Sequence, residues 1–308
     1  MDTVHVSETA PATAAAKPRR RRVLVIHNPT AGPRAGGRLR RVLQHLWSLG
    51  AEVTVERTEG PGHARRLAAR ADADDVDVVV VAGGDGTINE VVNGLSSSAP
   101  PMAVVPLGTA NLAAIELGLP KSSRAIAKMI VGGPARLMHV PSANGRRFVI
   151  MAGIGFDAHV VAHVNSSLKR RLGRYAYVLK TLTGLVGFRF RRYRVVVDGT
   201  TYEAGSAVIA NGRYYGGPYT CTPDARIDEP GLQVCLFLRS GPISAIRYSL
   251  ALLTGTLQKR RDVVIVPATT VSVEDGVGEP VQCDGDIASA LPLEVCAGGP
   301  TLRIVAGA

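Results

Sequence analysis

The sequence Gly83-Gly84-Asp85-Gly86 combines three glycines with one carboxylate, a composition that suits a phosphate-binding loop. It follows a valine-rich run at 76–82, which is typical of a strand buried on both faces. A predicted helix comes next, and Thr87 and Glu90 match a capping box at its start. Glycines let the backbone approach a ligand closely, and a helix N-terminus favours phosphate. A tight turn without a ligand would explain one or two of the glycines but not Asp85.

The acidic residue of this loop narrows the choice of ligand. A carboxylate repels a phosphate unless a cation or a hydroxyl donor lies between them, so Asp85 indicates a magnesium-bound nucleotide or a ribose. The stretch 32–39 has the glycine spacing of a Walker A loop, but Arg38 and Leu39 stand where lysine and serine or threonine are needed. Positive charge must therefore come from elsewhere, and Arg34 is one candidate.

Two further strand ends carry polar or glycine-rich sequences. Residues 28–32 follow an apolar strand at 23–26, and residues 108–111 follow a strand at 102–105. Strands alternate with helical patterns through the N-terminal half of the sequence, which predicts a parallel α/β sheet. Ligands bind at the carboxyl ends of strands in such sheets, so we expect the three loops to converge on one crevice.

The second half of the sequence has a different pattern. Asn144-Gly145 and Asp198-Gly199 are two-residue hairpin signals between apolar runs, which predicts mostly antiparallel β structure. Two helical stretches interrupt it, near 166–187 and near 242–257. The first begins with a basic segment, and it fits either a core helix with a solvated end or an element that faces a membrane.

Composition limits the classes of partner. The chain has 308 residues, enough for two domains, and 36 Lys and Arg against 25 Asp and Glu give a net charge of +11. Such a charge favours an anionic partner, while 5% aromatic residues argue against single-stranded nucleic acid. The four consecutive arginines at 19–22 fit a solvated leader or contact with anionic lipid equally well. Cys235 and Cys296 lie in strand-like runs, which predicts reduced, buried thiols in a cytosolic protein.

Six sequence blocks in order carry a family resemblance. They are HNPTAG (27–32), GGDGTINEVVNGL (83–95), PLGTAN (106–111), GIGFDA (153–158), NGRYYGGPYTCTPDARIDEPGL (211–232) and QCDGD (282–286). With them the chain resembles the diacylglycerol kinase catalytic-domain family, specifically the soluble bacterial lipid kinases. Sphingosine kinases share this module, and NAD kinases are more distantly related.

The resemblance implies an α/β fold of two domains. An N-terminal Rossmann-like nucleotide-binding domain, similar to those of NAD kinases and phosphofructokinases, would be joined to a C-terminal β-sandwich domain. We expect a disordered basic tail at 1–22, an ATP-binding domain at 23–133 and a lipid-substrate domain at 134–291. The last segment, about 292–308, is expected to return to the first domain. The active site would lie in the cleft between them.

The resemblance also assigns site residues. Asp286 would be the base, at a position where the family usually has glutamate, although Asp284-Gly285 also fits an ordinary turn. Asp228 and Glu229 are the metal candidates, and the match leaves open which of them binds Mg²⁺. The residues expected to hold ATP are Asn28, Pro29, Thr30, Ala31, Gly32, Thr58, Gly83, Gly84, Asp85, Gly86, Thr87, Asn89, Glu90, Gly108, Thr109 and Asn111.

The implied function is an ATP- and Mg²⁺-dependent lipid kinase of phospholipid biosynthesis that phosphorylates a hydroxyl of diacylglycerol or a related lipid. Two alternatives stay open, a kinase of a soluble substrate such as NAD and a lipid-binding protein without catalytic activity. The expected partners are the lipid substrate and an anionic membrane surface, with no nucleic acid and with a homodimer left open. The expected location is the cytoplasm with peripheral membrane association.

Overall fold

The computed structural model describes residues 20–32, 35–162, 188 and 190–307. Three sequence predictions lie outside the described residues: most of the basic tail, Arg34 and the helix at 166–187. Within the described residues, the chain forms a parallel sheet covered by helices and a sandwich of two antiparallel sheets.

The strands and helices have the following bounds. The strands are β1 (Arg22–His27), β2 (Glu52–Arg57), β3 (Val78–Gly83), β4 (Met102–Pro106), β5 (Ala135–His139), β6 (Ser142–Ala143), β7 (Arg146–Arg147), β8 (Met151–Gly155), β9 (Tyr193–Val197), β10 (Thr200–Ala204), β11 (Ser206–Ala210), β12 (Tyr214–Tyr215), β13 (Tyr219–Thr220), β14 (Leu232–Phe237), β15 (Val263–Ala268), β16 (Thr270–Val273), β17 (Pro280–Cys283), β18 (Asp286–Ala290), β19 (Leu293–Cys296) and β20 (Thr301–Val305). The α-helices are α1 (Ala35–Ser48), α2 (His63–Ala68), α3 (Asp85–Gly94), α4 (Leu112–Glu116), α5 (Ser123–Gly132), α6 (Phe156–Ala162) and α7 (Pro242–Leu253).

The N-terminal sheet has the strand order β2-β1-β3-β4-β20-β5. Strands β1 to β4 and β20 are parallel, and only β5 runs antiparallel, against β20. The valine run of β3 lies at the centre and is fully buried because helices cover both faces. Helices α1 and α5 pack on one face, and α2 and α3 pack on the other. The last strand, β20, thus brings the chain end back into the N-terminal sheet.

The C-terminal half is a sandwich of two six-stranded sheets, with orders β10-β9-β16-β19-β6-β7 and β15-β14-β11-β8-β17-β18. Its core is filled by apolar side chains from the inner faces of both sheets. Asn144-Gly145 joins β6 to β7 and Asp198-Gly199 joins β9 to β10, with positive φ at all four residues. The predicted fold class and both predicted hairpins are therefore confirmed.

One cysteine prediction is wrong. Cys221, Cys235 and Cys283 are buried, but Cys296 is exposed. Burial alternates along β19, and Cys296 lies with Glu294 on the outer face. The apolar character of a short strand does not reveal which of its two faces a residue occupies.

The β9–β10 turn predicts an acid-sensitive contribution to stability. The Asp198 carboxylate accepts hydrogen bonds from the backbone N–H groups and the hydroxyls of Thr269 and Thr270, which lower its pKa to about 2. A lowered pKa in the folded state contributes stability above the ordinary value of 3.8, and this contribution disappears as the pH falls toward about 2. We expect the free energy of unfolding of Asp198→Asn to fall less steeply than that of the wild type across this range. Urea titrations at a series of acidic pH values measure it, and parallel curves would contradict it.

Candidate active site

Three loops converge at the carboxyl ends of the parallel strands. A Cβ added at Gly108 would lie 2.7 Å from the Cα of Gly84, so the two loops are in direct backbone contact. A Cβ at Gly32 would lie 2.7 Å from the carbonyl oxygen of Leu107, which brings the 28–32 loop to the same place. Glycine is required at these positions because any side chain would separate the loops. The predicted convergence on one crevice is therefore what the structure shows.

Asparagine side chains fix the geometry of two of these loops. The Asn28 amide donates to the Thr87 hydroxyl at 3.0 Å, and its oxygen accepts from the Thr30 N–H at 3.0 Å. Asn111 has a positive φ of 50° and bonds the backbone of Gly108 in both directions, at 2.8 and 2.7 Å. The backbone N–H groups in the first turn of α3 have no partners within the helix, so they can face a ligand.

The Asp85 carboxylate is directed to the next helix. Its Oδ1 accepts from the N–H of Ala113 at 3.2 Å, in the first turn of α4. Burial raises the pKa of Asp85, while these backbone donors act in the opposite direction. Asp85 therefore joins the start of α3 to the start of α4, and direct contact with a nucleotide stays a prediction.

The predicted capping box is wrong. Helix α3 begins at Asp85, two residues before Thr87, and its N-cap is Gly84 without a side-chain cap. The Glu90 carboxylate instead accepts from the N–H groups of Gly62 and Ala64, at 2.9 and 3.1 Å. Glu90 thus stabilises the beginning of α2, because the glycine loop lets α3 begin earlier than the sequence pattern indicates.

The strand pair β17–β18 brings a second carboxylate to the glycine loop. Its turn is Asp284-Gly285, with φ values of 51° and 85°, and Asp286 is the first residue of β18. A Cβ added at Gly86 would lie 3.0 Å from Oδ2 of Asp286. Residues far apart in the sequence therefore place an exposed carboxylate directly over the N-terminus of α3.

Asp284 in the same turn holds the two halves of the molecule together. Its carboxylate accepts from the N–H groups of Val149, Ile150 and Met151 at 2.7 to 3.1 Å. It also accepts from the Asn89 amide of α3 at 2.8 Å. Burial raises the pKa of Asp284, and these donors oppose that effect. The turn that presents Asp286 is thus anchored to the helix of the glycine loop.

Comparison with known proteins identifies the family. The family model described as diacylglycerol kinase catalytic domain matches residues 22–143. The model described as YegS C-terminal NAD kinase beta sandwich-like domain matches residues 150–306, which is more than half of the chain. Residues 150–306 thus belong to the YegS C-terminal family, and residues 22–143 match the diacylglycerol kinase catalytic domain.

Curated relatives and solved structures agree with this membership. A diacylglycerol kinase of Bacillus subtilis strain 168 is 29% identical over 280 residues, covering 89% of this chain and 92% of the relative. One from Staphylococcus carnosus strain TM300 is 28% identical, covering 89% and 91%. A crystal structure of a diacylglycerol kinase from Bacillus anthracis strain Sterne has a TM-score of 0.74 at 26% identity, covering 94% of this chain and 99% of that chain. The predicted resemblance, and an enzyme of the diacylglycerol kinase type, are confirmed.

The two acids that the family resemblance marks for a metal do not form a ligand set. Asp228 lies 3.5 Å from the Arg136 guanidinium, and its side chain is 42% exposed. Glu229 is also exposed, and among the residues that the structure describes there is no group of three or more His, Cys, Asp or Glu that could hold a metal ion. Mg²⁺ needs several oxygen ligands in octahedral geometry, so these two acids would need further oxygen ligands, and their role as metal ligands stays a prediction.

An apolar cavity lies in the β-sandwich domain. It encloses about 980 Å³ of empty space, part of it open to solvent, between α6, α7 and the sheet that contains β11 and β14. Its walls are mostly aromatic and aliphatic, and they include Phe156, Val208, Phe237 and Leu252. A cavity with this apolar lining suits a hydrocarbon chain.

Gln282 connects the cavity to the Asp286 turn. Its side-chain oxygen accepts from the Gly285 N–H at 2.9 Å, and its amide donates to Asp157 at 2.8 Å. Asp157 lies on the cavity wall and also accepts from the Tyr215 hydroxyl. Gln282, Asp157 and Asp284 were not predicted as site residues. The only sequence signal was their position inside the family blocks GIGFDA and QCDGD.

Proposed function

We propose that this chain is an ATP-dependent lipid kinase that phosphorylates a hydroxyl of diacylglycerol or a related lipid. The observation that carries the proposal is the Asp286 carboxylate over Gly86, in a turn that Gln282 joins to Asp157 of the cavity wall. Phosphoryl transfer to a lipid hydroxyl requires a loop that binds phosphate, a group that accepts the proton and a pocket for the apolar chain of the lipid.

The ATP phosphates would lie on the glycine loop and on the two neighbouring loops. Backbone N–H groups and the positive end of α3 supply the attraction. The proposed ATP-binding unit is 23–133 with the returning end of the chain, and the lipid unit is 134–291. The residues proposed to line the ATP site are Asn28, Pro29, Thr30, Ala31, Gly32, Thr58, Gly83, Gly84, Asp85, Gly86, Thr87, Asn89, Glu90, Gly108, Thr109 and Asn111.

Asp286 would act as the general base. As the lipid hydroxyl attacks the γ-phosphorus of ATP, its proton passes to the Asp286 carboxylate and ADP leaves with the electron pair of the broken P–O bond. Asp284 and Gln282 would be positioning residues that hold the turn in place. The requirement for Mg²⁺ stays a prediction, and no proposed step depends on Asp228 or Glu229.

The cavity is proposed to hold an acyl chain, which gives a test with a substrate series. Leu252→Trp would fill part of the cavity and exclude at least two methylenes, each worth about 0.8 kcal/mol. We expect kcat/KM to fall about tenfold for a long-chain diacylglycerol and little for a short-chain one. Leu137→Trp, at an exposed position on β5, is the matched control. Equal losses on both substrates, or none, would argue against a chain in this cavity.

Peripheral membrane association is proposed to involve the outer face of α7. Ile243 and Leu250 lie seven residues apart on one side of this helix and are 66% and 56% exposed, while other α7 residues line the cavity. The net charge of +11 would favour an anionic lipid surface. Among the described residues, no helix has the length and apolar character needed to span a bilayer.

A further inference from the structure

A second concave site lies between α1 and α5, on the face of the parallel sheet opposite α3. Its space, including the part that is open to solvent, is about 680 Å³. We call it the α1–α5 pocket; its basic residues are Arg38, Arg41, His45, Lys121 and Arg124. It shares no lining residue with the proposed ATP site or with the apolar cavity.

The charges of the α1–α5 pocket are not balanced within the protein. Three arginines and one lysine face a common space, and no Asp or Glu among the described residues lies within 4.0 Å of their charged groups. Elsewhere in the described residues, arginines such as Arg22 and Arg213 do pair with carboxylates. Like charges that line one space repel one another, so an anion bound there would stabilise the arrangement.

Arg38 gives the pocket a partly fixed donor. One of its terminal nitrogens donates to the carbonyl of Lys121 at 3.2 Å, which ties α1 to the start of α5. Its Nε is buried and has no hydrogen-bond partner among the described residues. Burial, and then the charge of Arg41, lower the pKa of Arg38. A solvated basic surface would leave this nitrogen hydrated, whereas here it is enclosed with no acceptor in the described part of the chain.

We propose that the α1–α5 pocket binds a phosphate group. Guanidinium groups match phosphate oxygens in a bidentate geometry, and a lysine adds a compact charge. Four permanent positive charges suit a phosphate monoester or inorganic phosphate, with a charge near −2, better than a singly charged anion. The same chemistry occurs in free phosphate and in the head group of a phosphorylated lipid, and experiment can separate the two sources.

The test compares two double variants that remove the same charge. Arg41→Gln with Arg124→Gln alters the pocket, and Arg65→Gln with Arg70→Gln alters exposed arginines elsewhere in the N-terminal domain. Calorimetric titration with inorganic phosphate is done with ADP present in saturating amount, which keeps the proposed nucleotide site filled. Co-sedimentation with phosphatidylcholine vesicles, with and without phosphatidic acid, forms the second arm. Neither readout depends on kinase activity.

We expect the pocket variant to bind phosphate at least about tenfold more weakly than wild type, and the control variant to stay within about twofold of it. If the pocket variant also loses its phosphatidic acid-dependent sedimentation, the lipid head group is the source. If it keeps that sedimentation, the ligand is free phosphate. Equal behaviour of the two variants in both arms would overturn the proposal and mark the pocket as an ordinary solvated surface.

Discussion

Asp286→Asn is expected to reduce kcat by roughly 10²–10⁴-fold, the usual contribution of a general base. The substitution keeps the size of the side chain over Gly86 but removes its ability to accept a proton. Nucleotide affinity should change little, because the proposed phosphate contacts come from the backbone of the glycine loop. Initial rates of phosphoryl transfer and ADP titrations of both proteins measure the two effects separately.

Two further variants make this result specific. Asp286→Glu restores a carboxylate and is expected to exceed the Asn variant by at least about tenfold. Asp75→Asn removes one negative charge from an exposed position in the other domain and should match the wild type. An Asp286→Asn enzyme with wild-type kcat would show that Asp286 is not the base.

Asp284→Ala should lower the free energy of unfolding by about 3–5 kcal/mol, a large fraction of the stability of most domains. The substitution leaves the N–H groups of Val149 and Ile150 and the amide of Asn89 without their shared acceptor. Unpaired buried donors carry their full desolvation cost. Activity should also fall, because the turn that presents Asp286 loses its anchor on α3. Urea unfolding with a probe in each domain measures the change.

A double-mutant cycle tests whether the Asp284 contact couples the two domains. Asn89→Ala removes the donor on α3, and the cost of the two substitutions together should be smaller than the sum of their separate costs. Asp224→Ala is the control, because Asp224 is exposed. Additive costs for Asp284 and Asn89 would contradict a coupling through this hydrogen bond.

Local sequence patterns were sufficient for much of the fold. The valine run of β3 and the Asp-Gly and Asn-Gly turns each depend on neighbouring residues, and the structure contains them all. The convergence of the three loops also followed, since parallel strands end at one edge of a sheet. These features need no knowledge of contacts between distant residues.

Features that depend on distant contacts were not predictable in the same way. Glu90 matches a local capping pattern, yet its carboxylate oxygens accept from backbone N–H groups at the start of α2, which precedes it in the chain. Asp284 fits an ordinary turn in the sequence. Its anchoring role depends on hydrogen bonds from Asn89 of α3 and from Val149, next to β8, which are distant in the chain. Asp85 lies in a loop of the phosphate-binding type, but its carboxylate accepts a hydrogen bond from a backbone N–H at the N-terminus of α4. In each case the side chain bonds a helix or strand that the local pattern does not contain.

Transfer of labelled phosphate from ATP to a lipid panel tests the central claim most directly. Wild-type protein, Asp286→Asn and Asp75→Asn are each supplied with diacylglycerol, sphingosine and NAD under identical conditions. The account predicts label in diacylglycerol or a related lipid with a free hydroxyl for wild type and Asp75→Asn, and almost none for Asp286→Asn. Label in NAD alone, or no labelled lipid with the wild type, would contradict it.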